Sequence, residues 1–153
     1  MTPAQIAADL RAAIAEGGRI FTAADDRRTT MRPTPDGWCA REIVGHLIDS
    51  ACNNHRRFVL GYSAETTHFD GYNQDEWVAA QHYDAVPWTD LIALWTAYNQ
   101  HLAHIIATMP DDVAARTGMA PHGSDIVSVS FLMQDYVRHL RHHLAQVRAL
   151  AAS

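Results

Sequence analysis

The sequence predicts an all-α protein, a four-helix bundle with a long crossover between its second and third helices. Three observations predict it. Four stretches of about twenty residues carry apolar side chains at helical spacing, and no stretch alternates at the period of a strand. One connection, Gly61 to Pro87, is also much longer than a compact bundle needs. With 153 residues, one domain over 1–153 is expected, able to bury roughly 68–70% of its unfolded surface without disulfides.

Thr2-Pro3-Ala4-Gln5 opens the first helix, with a hydroxyl at the N-cap, proline at the first helical position and glutamine at N3. Ile6, Leu10, Ala13, Ile14, Ile20 and Phe21 carry it over residues 3–24. Gly17-Gly18 predicts a bend or early end, because each glycine costs roughly 1 kcal/mol against alanine. Residues 29–37, with two prolines and a glycine, form a loop. Trp38 introduces the second helix, residues 39–60, whose apolar stripe is Ile43, Val44, Leu47, Ile48, Ala51 and Phe58. His46, Ser50, Asn53 and Arg57 form a bordering polar stripe.

The connection 61–87 is aromatic, with Tyr62, Phe69, Tyr72, Trp77 and Tyr83, and Asn73 to Trp77 predicts a short helix within it. The third helix, residues 89–109, turns Leu91, Leu94, Trp95, Tyr98, Leu102, Ile105 and Met109 inward and ends at Met109-Pro110. Asp111 to Ile126 reads as a second loop. Ser128 caps the fourth helix, residues 129–151, which buries Leu132, Met133, Tyr136, Val137, Leu140, Leu144 and Val147. Leu132, Tyr136, His139, His143, Gln146 and Leu150 border that face.

Composition excludes several classes of function. Net charge is −5, with 12 arginines, no lysine and no basic run, so the concentrated positive footprint of a nucleic-acid binder is missing. No apolar stretch approaches the 18 or more residues of a membrane span. Met1 to Gln5 shows no basic segment followed by a hydrophobic one, so a cytoplasmic protein is expected. Cys39 and Cys52 stand about 20 Å apart on one helix and cannot pair, which agrees with reduced thiols.

His139 and His143, four residues apart, project from one helix face and could reach a single ion. His46 occupies a border position where an apolar residue is expected, and is a candidate third ligand. Bundles build metal sites from such facing side chains, and neutral imidazole suits zinc, nickel, copper or iron. Spacing alone leaves His46 open to a second reading, as a buried core histidine. The rival pair His101/His104 places His104 on the outer face of its helix.

Three segments carry a family resemblance: Trp38 to Asp49, with its His46-Leu47-Ile48-Asp49 run; Asn73 to Trp77; and His139 to Val147. In order and spacing they resemble the DinB family of four-helix-bundle metalloenzymes, also called DinB/YfiT-like. The resemblance implies a parallel crossover between helices 2 and 3, a homodimer, and one divalent ion, nickel or zinc, held by His46, His139 and His143. It further implies a small-molecule substrate and, as leading activity, thiol S-transfer with a low-molecular-weight thiol. A metal-dependent hydrolase and a non-catalytic metal-binding stress-response dimer are the alternatives. Cys39 departs from the family pattern, which often has a serine cap there. Around the ligands, Tyr136, His142 and Gln146 are candidates to orient them. Asp49, Ser50, Asn53, Arg57 and Trp77 are candidate substrate contacts, Arg57 through its bidentate fork.

Overall fold

The predicted cap of the first helix is present: Thr2 Oγ1 accepts from the Gln5 amide at 3.3 Å and Gln5 Oε1 accepts from the Thr2 amide at 2.8 Å. In the computed structural model, which describes residues 1–63 and 68–151, four long helices follow: α1 (Pro3–Ala23), α2 (Ala40–Leu60), α4 (Trp88–Ala107) and α6 (Val129–Ala151). Two short ones lie between them, α3 (Gln74–Gln81) and α5 (Asp111–Ala114). Residues 64–67 of the aromatic connection fall outside the described residues.

Helix α1 packs against α4 and α6, and so does α2, so α1 and α2 stand diagonally across the bundle. Cross-helix contacts give the directions. Arg41 on α2 reaches the Val86 carbonyl just before α4 at 2.9 Å, and His55 further along meets Tyr98 and His101. The second and third long helices therefore run parallel. Asp9 pairs with Arg141 and Glu16 with Arg148, so α1 and α6 are parallel too. Phe58 meets Tyr136 while His46 meets His139, so α2 and α6 are antiparallel.

Helix α1 runs through Gly17-Gly18 without ending. A Cβ at Gly17 would lie 2.5 Å from the Trp95 ring, so this glycine serves close packing of α1 on α4. The segment after α4 is not a plain loop. It holds α5 and an antiparallel hairpin, β1 (Thr117–Met119) with β2 (Ile126–Ser128), in which Thr117 faces Ser128. Ser128 Oγ then accepts from the Phe131 amide at 3.0 Å, the predicted cap of α6. On α4, Leu94 is 51% exposed while Asn99 is fully buried, correcting the inward assignment of Leu94. Asn99 is satisfied there, accepting from the Tyr136 hydroxyl at 2.6 Å. No helix among the described residues is long and apolar enough to cross a membrane.

Candidate metal centre

The antiparallel pairing of α2 with α6 brings His46 opposite His139 and His143. Nε2 of His139 lies 3.2 Å from Nε2 of His46 and 3.1 Å from Nε2 of His143. One ring nitrogen from each of the three lies within 4.8 Å of the others. Among the described residues, no other cluster of histidine, cysteine and acidic side chains gathers this closely.

The chemistry of this donor set fits a metal ion. A neutral imidazole has one N–H and one lone pair, so three converging Nε2 atoms cannot all be satisfied by one another. An ion can accept all three lone pairs. Nitrogens about 2.0–2.1 Å from a metal stand about 2.9 Å apart at right angles and about 3.3 Å apart at the tetrahedral angle. The two short separations fall between those limits.

The electrostatics keep the rings neutral. Burial, then His143 and His139, pushes His46 down to about 3. Burial and then His143 take His139 down to about 4. Burial likewise lowers His143, opposed by its bond to Gln146. That bond, His143 Nδ1 to Gln146 Oε1 at 2.7 Å, places the proton on Nδ1 and frees the Nε2 lone pair. The Gln146 amide nitrogen in turn donates to His142 Nε2 at 3.3 Å, so the exposed His142 fixes which way Gln146 points. The Trp38 ring lies 5.0 Å from the His46 ring and tilted 38° to it. His46 Nδ1 is buried with no hydrogen-bond partner among the described residues.

Two clefts meet at the histidines. The first, about 430 Å³, runs along α2 past His46, Ser50, Asn54 and Arg57, with Tyr136 and His139 opposite. Tyr72 and the hairpin tip, including His122 and Asp125, wall it. The second, about 540 Å³, is reached by His143 and Gln146 and bounded by Trp38 and Leu150. Gln74, at the start of α3, borders both.

Several candidate residues take other places. Asn53 does not line the first cleft; its amide bonds the Asp49 carbonyl at 2.9 Å, and Asn54 stands in the cleft instead. Asp49 is buried away from the triad. Its Oδ1 accepts from Tyr83 at 2.7 Å and Gln81 at 2.8 Å, and burial raises its pKa. Tyr136 lines the cleft but gives its hydroxyl to Asn99, not to a triad histidine. Trp77 is 37% exposed and backs Tyr72, with ring centroids 5.1 Å apart, so Tyr72, not Trp77, is the crossover aromatic that lines the cleft. Cys39 is buried at the start of α2, where burial raises its pKa, and Cys52 is exposed; neither joins the triad. Sequence reasoning missed Asn54, Gln74 and the hairpin tip. Asn54 had a signal: it lies about 80° from His46 toward the apolar stripe, whereas Asn53 lies about 20° to the other side.

Fold and triad together define a four-helix bundle with a histidine centre of metal-binding geometry between its helices. The chain belongs to the DinB superfamily, whose profile matches residues 9–147. It is similar to YfiT of Bacillus subtilis, described as a probable metal-dependent hydrolase, with 26% identity over 115 residues. That match covers 75% of this chain and 65% of YfiT, less than two thirds of the relative's length. It is 23% identical over 124 residues to BH0277 of Halalkalibacterium halodurans, which bears the same kind of name, covering 81% of this chain and 71% of that one. The solved YfiT structure superposes with a TM-score of 0.85 at 22% identity, over 97% of this chain and 85% of that one. A mycothiol-dependent maleylpyruvate isomerase superposes with a TM-score of 0.81 at 13% identity, over 100% of this chain and 63% of that one.

Proposed function

We propose that the protein is a divalent-metal-dependent transferase that joins a low-molecular-weight thiol to a carbon electrophile, with His46, His139 and His143 as ligands. The observation that carries this reading is that two clefts, with Gln74 at the border of both, reach the triad, one at His46 and His139 and the other at His143. Transfer between two organic substrates needs two approaches to one centre, whereas hydrolysis needs one. A bound nickel or zinc ion, both suited to imidazole donors, would supply Lewis acidity that lowers the pKa of a thiol. The chain's own residues do the rest. Gln146 holds His143 in the ligating tautomer, Trp38 covers the His46 ring against water, and Gln74 stands where the two substrates would meet. The thiol dependence of one similar structure supports the same reading.

Hydrolysis is the second reading, favoured by the names of the similar YfiT and BH0277. Water then takes the place of the thiol. Metal analysis of tag-free protein tests the centre: about one ion per chain is expected, falling to near zero in a His139→Ala/His143→Ala variant. A metal-free wild type, or unchanged binding in the variant, overturns both readings. Adding a low-molecular-weight thiol to cobalt-substituted protein then separates them. A new thiolate charge-transfer band supports transfer, and no spectral change together with ester hydrolysis supports the second reading.

A further inference from the structure

The first cleft does not end at the triad. It continues along α2 to Arg57, eleven residues from His46 and on the same helix face, about 16 Å further along the axis. Arg57 is 7% exposed. Its Nε and Nη2 donate to the Asp70 carbonyl oxygen at 3.2 and 2.7 Å, and its Nη1 donates to Asn54 Oδ1 at 3.4 Å. All three contacts are to neutral oxygens. Among the described residues, no carboxylate pairs with this guanidinium. The Asp70 carboxylate is taken by Arg56, and Asp135, across the cleft on α6, is taken by Arg138.

Such a group is costly where it stands. Burial of an unpaired charge is unfavourable, and burial indeed lowers the Arg57 pKa. A guanidinium carries five N–H donors in a planar fork. Three are spent on the neutral oxygens, which leaves one N–H on each terminal nitrogen. Two remaining N–H donors on one guanidinium suit the two oxygens of a carboxylate. Asp125 and Asp135 share the lining of the cleft, so a singly charged carboxylate fits better than a phosphate dianion.

We propose that Arg57 anchors the carboxylate of the cleft's substrate, so that the electrophile is an elongated small organic acid whose reactive carbon lies toward the histidines. This rests on the reading that the triad holds the metal, and it makes Arg57 a specificity residue.

Two measurements on the full chain test it. In the first, hexanoate and hexanamide are titrated while the Arg57 Nε–H resonance is followed by NMR. Hexanoate should shift it and hexanamide should not. In the second, adipate monohydroxamate and its neutral amide are bound by calorimetry to zinc-loaded protein. The acid should bind about tenfold more tightly, the effect of one charge-assisted hydrogen bond. Arg57→Gln should erase that preference. An unmoved Arg57 resonance with hexanoate, or equal wild-type affinity for acid and amide, overturns the anchor. Neither result depends on the folding of the variant. If hexanoate moves Arg57 while both hydroxamates fail to bind, the metal reading fails and the anchor stands.

Discussion

Acid should destabilise the metal-free protein before most of its carboxylates titrate, and His46 sets much of the effect. Its folded pKa is pushed down to about 3, first by burial and then by His143 and His139, against about 6.5 in an unfolded chain. Between those values the unfolded state binds a proton that the folded state refuses. Stability is therefore full above about pH 6.5 and is lost as pH falls toward the folded value. At about pH 5 the unfolded pKa lies about 1.5 units above the pH, worth about 2 kcal/mol. That figure holds for any folded pKa well below 5, so it does not depend on the depth of the depression. His139, lowered to about 4, acts in the same sense but less, being only half-buried. Asp49 acts in the opposite sense, because burial raises its pKa. The assay is urea unfolding of chelator-treated protein at about pH 7.5 and about pH 5, for wild type and His46→Phe, which isolates the one imidazole. Wild type should lose about 2 kcal/mol more than the variant on acidification. Equal losses in the two proteins would refute a buried, neutral His46.

Two further outcomes follow from the packing around the triad. Gln146→Leu removes the acceptor that sets the His143 tautomer, so metal affinity should fall about 10–100-fold in competition with a chromophoric chelator, while metal-free unfolding stays unchanged. Gly45→Ala places a methyl 2.1 Å from the Tyr83 ring. Thermal or urea unfolding should show a loss of about 1–3 kcal/mol from this overpacking.

The helices and most of the triad were legible because both obey the helical period. The α6 border stripe is informative in a way its spacing alone does not reveal: Leu132, Tyr136 and His139 face the first cleft, and His143, Gln146 and Leu150 the second. What failed to read has physical reasons. Strands of three residues carry too little alternation to register as a pattern, so the hairpin that walls the first cleft read as a loop. Leu94 lies about 60° from Leu91 on the side away from Trp95 and Ile106, and apolarity alone did not show that this side faces out. Asn99 is polar, yet it is buried because Tyr136 completes its hydrogen bonding from the neighbouring helix, a partner no local pattern contains.

The length of the crossover has a structural reason that also bears on function. Helix α2 has 21 residues and so spans about 31 Å. A chain returning that distance to start a parallel α4 needs about ten extended residues, yet 27 residues run from Gly61 to Pro87. The surplus is put to use over the histidines. Asn73 Oδ1 accepts from the amides of Asp75 and Glu76 at 3.2 and 3.3 Å, starting α3 so that Gln74 borders both clefts and Tyr72 walls the first. The Asp70 carbonyl, just before, is the one that holds Arg57 in place. Parallel helices thus require a crossover, and the crossover supplies Gln74 to both clefts beside the triad and Tyr72 to the first. A bundle with α2 and α4 antiparallel and a short turn between them could present the same three imidazoles, but it would lack the segment that borders both clefts.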